Sequence, residues 1–336
     1  MKPWALLGVV ILSAPIPLRC AVAEPTLSIG GLLFGDVYAV PSHHQEQGDG
    51  SAGLVLRRGY LTFNTDLSKN WFGRFRFELN QSGQFETYSF KTSVKDLFVG
   101  RKLGRQSLLL GLSPTPTFDL IESAWAFRYL ARTPLDLQGV ASRDNGIAIK
   151  GPINASGTFS YRAMLGLEAD FGNETDDGRR WMGALNWKPS EHWTIDLYTD
   201  HETLSGPRDR TTWQIFAAYQ SDSLSWGTQY SRQDRGEDPP LELASAFAHG
   251  RVGQKTRLVG RIDRLLEPSP KGNDIAYLPY DPSARATTLI GGVEFQATPH
   301  IFITPNTVVT YYDRNKEGLR PKTDVYVRLT LFIDFE

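Results

Sequence analysis

Cysteine is what this sequence lacks most plainly: Cys20 is the only one in 336 residues. It falls in the extreme N-terminal segment, so the rest of the chain has neither disulfides nor thiolate metal centres. Long hydrophobic runs are missing too. Beyond the first residues no stretch offers the twenty or so apolar residues, in round numbers, of a spanning helix. Excess charge of one sign is also absent, with 36 basic side chains against 37 acidic ones. That balance argues against a nucleic-acid partner, which a strongly basic chain would suit. Histidines are few and scattered (His43, His44, His192, His201, His249, His300). No zinc-spaced cluster and no glycine-rich phosphate loop appears, so no cofactor and no metal is expected.

The N-terminus reads as a secretory leader. Lys2 is a short basic start, Trp4 to Pro15 is apolar, and Ala21-Val22-Ala23 is a small-x-small cleavage site. Residues 1–23 are therefore expected to be removed and 24–336 to form the working domain. A lipoprotein would need a small residue before Cys20, where Arg19 stands. Without Lys2 and Arg19 the balance is 36 less two basic groups against 37 acidic ones, a charge near −3.

What the chain has instead is alternation. At the C-terminus Val325, Val327, Leu329, Leu331, Ile333 and Phe335 alternate with Tyr326, Arg328, Thr330, Phe332 and Asp334. Period two marks a strand with two unlike faces. Kept up for about ten residues, it lets a tilted strand cross a bilayer with lipid on one side and water on the other. The pattern recurs at Gly73, Phe75, Phe77 and Leu79 against Arg74, Arg76, Glu78 and Asn80. It recurs again at Phe159–Leu167 and at Trp181–Trp187. About sixteen such segments fit the chain, with fourteen left open. The expected fold is all-β, a transmembrane antiparallel β-barrel.

Connections support this. Short ones (Asp66–Asn70, Leu103–Gln106, Pro189–His192, Ser221–Ser223, Pro299–His300) alternate with long ones (Pro41–Gly53, Ala169–Gly178, Glu267–Ala284). Barrels of this kind have short periplasmic turns and long outer loops. Trp71, Trp187, Trp193 and Trp226 flank short turns, where an aromatic girdle meets the membrane interface. A soluble β-sandwich would also alternate, but it explains neither the girdle nor the loop lengths.

The third long connection, Ser113 to Ser142, is the longest and has no strand character. Its apolar residues Ile121, Trp125, Phe127 and Leu130 need a packing partner. An inward fold against the barrel wall supplies one; a cover over the mouth or a contact with a neighbouring subunit is the alternative.

Parity places Arg58, Arg74, Arg76, Arg162, Arg180, Arg257, Arg261 and Arg328 on the water-facing side, and the third connection adds Arg128 and Arg132 at a constriction. Arginine suits an anion path because its planar fork holds its charge and several fixed donors. On the lipid face each would cost about 2–4 kcal/mol near the midplane. Asp36, Glu78, Asp196, Asp263, Glu294 and Asp334 share that parity, and Asp119 and Glu122 could cancel the loop arginines. A wall of compensating ion pairs is thus the competing expectation.

Four segments resemble successive signatures of the phosphate-selective porin O and P family. They are Arg57-Arg58-Gly59-Tyr60-Leu61, Val94-Lys95-Asp96-Leu97-Phe98-Val99-Gly100, Leu110-Gly111-Leu112-Ser113-Pro114-Thr115-Pro116 and Ser142-Arg143-Asp144-Asn145-Gly146-Ile147. The resemblance spans Leu54 to Gly151; the second half is similar mainly in architecture. It implies a trimeric, sixteen-stranded outer-membrane channel for anions with an inward third loop, an arginine ladder and a lysine cluster. The arginines have candidates here, whereas the motifs locate no lysine cluster.

The expected function is passive diffusion of small, phosphate-like anions across the bacterial outer membrane, with membrane lipids and lipopolysaccharide outside and two further copies beside. The alternatives are a weakly selective channel for small hydrophilic solutes, a barrel-bound hydrolase using His201 beside Asp200, and a closed barrel serving as adhesin or scaffold. A metal at His43-His44 is set against two solvated loop residues.

Overall fold

The computed structural model describes residues 24–81, 90–140, 142–167, 178–204 and 208–335. The expected leader, residues 1–23, and most of the expected connection Ala169–Gly178 lie outside them. Strands in the first half are β1 (Thr26–Ser42), β2 (Ala52–Asp66), β3 (Trp71–Gln81), β4 (Phe90–Leu103), β5 (Gln106–Pro114), β6 (Arg143–Pro152), β7 (Phe159–Gly166) and β8 (Arg180–Trp187). The second half holds β9 (Trp193–Glu202), β10 (Arg210–Gln220), β11 (Leu224–Arg235), β12 (Asp238–Arg251), β13 (Thr256–Leu265), β14 (Ala286–Thr298), β15 (Ile301–Tyr312) and β16 (Asp324–Phe335). Two short helices, α1 (Phe118–Trp125) and α2 (Pro134–Leu137), lie between β5 and β6.

Every strand pairs antiparallel with its sequence neighbours, and β16 returns to pair with β1, closing the barrel. Closure removes the sheet edge and satisfies the backbone groups that lipid cannot. The seam needs a glycine. A Cβ on Gly31 would sit 2.5 Å from the ring of Phe335, its partner across the seam.

Alternation sorts the side chains as period two demands. On β8, Trp181 and Leu185 are 58% and 56% exposed while Arg180 and Met182, on the opposite face, are 5% each. Leu197, Ile215, Leu258 and Leu329 continue the outward apolar surface. Near the short turns Trp187 stacks on Phe159 (centroids 5.8 Å apart), and Trp193 meets Trp226 edge-to-face at 5.2 Å. The loop alternation is less strict than the sequence suggests. β11 and β12 are joined on the long-loop side by residues 236–237 alone, because β12 begins at Asp238 and carries Pro239 and Pro240 as strand residues. Proline is tolerated at that strand end, where a missing N–H costs little.

The inside is filled unevenly. The connection between β13 and β14 packs Ile275, Leu278, Tyr280 and Ala284 onto Leu135 and Leu137 of α2, above Leu241, Leu243 and Ile290. A second cluster joins Ile121, Trp125, Phe127 and Leu130 to lumen-facing Phe34, Phe216, Phe247 and Val259. Lumen-facing apolar residues on β10–β14 are covered by these loops, and a cavity of about 590 Å³ lies along β1–β7.

Candidate functional site

Polar contacts hold the third connection to the wall along its length. Arg162 Nη1 donates to the Pro116 carbonyl at 2.6 Å, and Thr117 Oγ1 donates to Asp196 Oδ2 at 2.6 Å. His249 Nε2 donates to the Ala124 carbonyl at 3.1 Å, and Trp125 packs edge-to-face on Phe247 at 5.4 Å. Tyr129 donates to Glu294 and stacks on Phe332 at 4.6 Å. Buried Arg57 donates to the carbonyls of Tyr129 and Leu130 while its Nε sits 2.7 Å from Asp36.

The ten arginines singled out above divide by surroundings. Arg58, Arg128, Arg132 and Arg328 converge with Arg57 around a void of about 30 Å³. Arg128 there is held by Glu122 (2.9 Å) and Asp136 (2.8 Å), and Arg58 lies 3.6 Å from Glu78. Arg132 donates to the Asp136 carbonyl at 3.2 Å and Arg328 to the Tyr277 carbonyl at 2.7 Å. Arg76, 3.3 Å from Asp96, lines a cavity of about 260 Å³ together with Arg128. Arg180 is buried against Asp200 at 2.6 Å. Arg257 pairs with Glu294 beneath the Phe127 ring, and Arg261 pairs with Asp263 beneath the Trp125 ring. Of these two, Arg261 is buried behind Trp125, whereas Arg257 stays about a third exposed (side chain 32%). Arg74 and Arg162 line the cavity of about 590 Å³.

Two cations escape a parity count because bulges shift the register. Between β1 and β2, Phe34 pairs with Arg58 but Gly35 with Leu56, so both Arg57 and Arg58 face the lumen. Between β3 and β4, Arg76 pairs with Asp96 but Phe77 with Val94, so Lys95 and Asp96 both point inward. Lys95 then reaches Glu78 at 3.2 Å. A bulge places two successive side chains on one face. Arg143, at the start of β6, joins the same group, 2.8 Å from Asp96 and 4.4 Å above the Phe118 ring.

This 590 Å³ cavity carries the clearest pattern. Lys102, Ser107, Lys150 and Arg162 are register partners across β4, β5, β6 and β7 and form one lateral row. Among the described residues Lys102, Lys150 and Arg162 make no ion pair. Parity alone could have found both lysines, since each sits on the inward alternation of its strand. Beside this row runs an apolar one, in which Phe72 faces Gly100, Leu109, Ala148, Met164 and Met182 strand by strand. Lys102 Nζ lies 5.9 Å from the Phe72 ring centre. The carboxylates at this cavity are Asp66 and Asp119, against the four cations Arg74, Lys102, Lys150 and Arg162.

The histidine pair lies elsewhere, at the outer rim, and is not solvated. His43 is 1% exposed and stacks on His44 with centroids 4.4 Å apart. His44 has an acceptor at each ring nitrogen: Asp324 at 2.8 Å from Nδ1 and Asn273 Oδ1 at 2.9 Å from Nε2. Burial works to lower the pKa of His44, but these hydrogen bonds outweigh it and raise the value above 6.5; burial lowers that of His43. The nitrogens of both rings are thus engaged in protein contacts, with His43 Nε2 2.9 Å from Tyr326 Oη. The hydrolase candidate is split: Asp200 points inward to Arg180, whereas His201 is exposed on the outer face.

No protein-family profile matches the chain, and no characterised protein matches it in sequence. Solved structures do match. An anion-selective porin from Comamonas acidovorans is similar at a TM-score of 0.70 and 15% identity, over 93% of this chain and 100% of that one. The outer membrane channel DcaP of Acinetobacter baumannii gives 0.64 at 11% identity, over 93% and 97%. The trimer form of OmpT from Vibrio cholerae gives 0.60 at 14%, over 93% and 99%. At such identities the likeness is one of fold. The closed barrel, its lipid-facing surface and this likeness define the class: a sixteen-stranded bacterial outer-membrane barrel of porin architecture. The resemblance to phosphate-selective porins rests on the short motifs alone.

Proposed function

We propose that the chain is a passive channel for small anions, entered along the β1–β7 side of the lumen. One observation carries this: Lys102, Lys150 and Arg162 sit in one row on the cavity wall with no carboxylate paired to any of them among the described residues. Focused by low-dielectric walls, such a row raises the local anion concentration. The fold likeness to an anion-selective porin supports the reading. Phosphate-like oxyanions suit the charge, and the motif resemblance favours them. A homotrimer in contact with lipid and lipopolysaccharide is the assembly the resemblance implies, and OmpT of Vibrio cholerae, of similar fold, has a trimer form.

Replacing all three cations by Gln tests the proposal in planar bilayers under a KCl gradient. The unmodified chain should give a zero-current potential of the chloride-selective sign, and the triple variant should move it towards zero. An unchanged potential contradicts the assignment. A second reading, a weakly selective channel for hydrophilic solutes, is favoured by the ion-paired state of Arg76, Arg128, Arg180, Arg257 and Arg261. In that case the unmodified chain gives a potential near zero.

A further inference from the structure

A water-filled channel for inorganic ions has no use for apolar side chains on its wetted wall, since each leaves water facing hydrocarbon. The large cavity has them. Half-buried Phe72 and Phe98 face the lumen beside the cationic row, packed over buried Leu109, and line the same space as Lys102, Lys150 and Arg162. The arrangement is ordered. The cationic row lies nearest the short turn between β4 and β5, and the apolar row is the next one along the same strands. Phe72 and Phe98 meet edge-to-face at 6.4 Å, which leaves aromatic surface next to the charges. Gly100 is what lets this surface form, because a Cβ there would sit 2.2 Å from the Phe72 ring.

Resting on the anion reading above, we infer that this cavity selects organic anions that carry an apolar ring, with the carboxylate against the Lys102–Lys150–Arg162 row and the ring against Phe72 and Phe98. The cavity, about 590 Å³, accommodates such a molecule with water to spare. Aromatic faces and edges offer a flat ring favourable contacts that a hydrated inorganic anion cannot use. The cations supply charge-assisted hydrogen bonds to the carboxylate. Neither part alone distinguishes a ring-bearing anion from acetate or phosphate; the two together do.

The probe is benzoate, with acetate as its ring-free counterpart, each added to a chloride-conducting single channel of the unmodified protein. Benzoate should reduce the chloride current with a half-blocking concentration about tenfold below that of acetate, the scale of one well-buried ring contact. Phe72→Ala, and separately Phe98→Ala, should close that gap when block is normalised to each variant's own open current. Equal block by benzoate and acetate in a chloride-selective channel overturns this inference and leaves the anion reading standing. A channel with no chloride preference overturns the anion reading and this inference with it. The comparison on the unmodified protein decides the matter even if the variants fail to fold.

Discussion

A histidine with an acceptor at both ring nitrogens keeps its second proton. His44 is such a residue, tying the segment after β1 to Asp324 of β16 and to Asn273 of the β13–β14 connection. Asp324 also accepts from Tyr312, and Asp281 adds a weaker attraction. With a pKa raised above 6.5, His44 contributes stability that is fully present below 6.5 and lost as pH rises through its folded value. His43, lowered by burial, contributes stability present above 6.5 and lost as pH falls through its own folded value. The rim should therefore be tightest in the window between the two. Hydrogen exchange of residues 43–51, corrected for intrinsic rates, should be slowest there and speed up on both sides. His44→Gln should abolish the alkaline-side dependence and, by removing the neighbouring charge, weaken the acid-side one; the same alkaline loosening in that variant would contradict the assignment. At this scale a parity count passes over two inward-facing cations, Arg57 and Lys95. Each lies at a bulge, and a bulge is set by how two distant strands meet rather than by local composition.

Elements matter most in the third connection. Its length and its row of Ile121, Trp125, Phe127 and Leu130 were legible in the chain, and all four are buried against lumen-facing residues. The other half of that packing was not legible, because the β13–β14 connection that meets α2 lies far away in sequence and shares no pattern with it. Arg57 is the clasp between wall and connection, 5% exposed, with Asp36 at 3%. Arg57→Ala should destabilise the barrel by about 3–5 kcal/mol, because Asp36 is left buried without its cation. It should also raise single-channel conductance as Tyr129 and Leu130 leave the wall. Unfolding titrations in micelles and single-channel recordings check the two effects. A variant with unchanged stability and conductance would show that the connection is held elsewhere.

At the scale of the whole molecule, most inward-facing cations are neutralised by carboxylates, while among the described residues Lys102, Lys150 and Arg162 on one wall make no ion pair. Alternation announced the barrel because lipid and water sort side chains at every second position. The asymmetry is a property of which loops fill which half, and alternation cannot report it. The absence of cysteine beyond Cys20 makes it directly measurable. Ser107 lies in the cationic row between Lys102 and Lys150, so Ser107→Cys adds a thiol without removing a charge. Leu110, 61% exposed on the lipid side of the same strand, is the control. In bilayers, the rates at which negatively and positively charged methanethiosulfonates modify each cysteine test the central claim. The prediction is that position 107 reacts and position 110 does not, with the negative reagent faster at 107 and its advantage shrinking as salt rises. Faster reaction of the positive reagent at 107, or equal reaction at 110, would contradict a lumen whose open side draws anions.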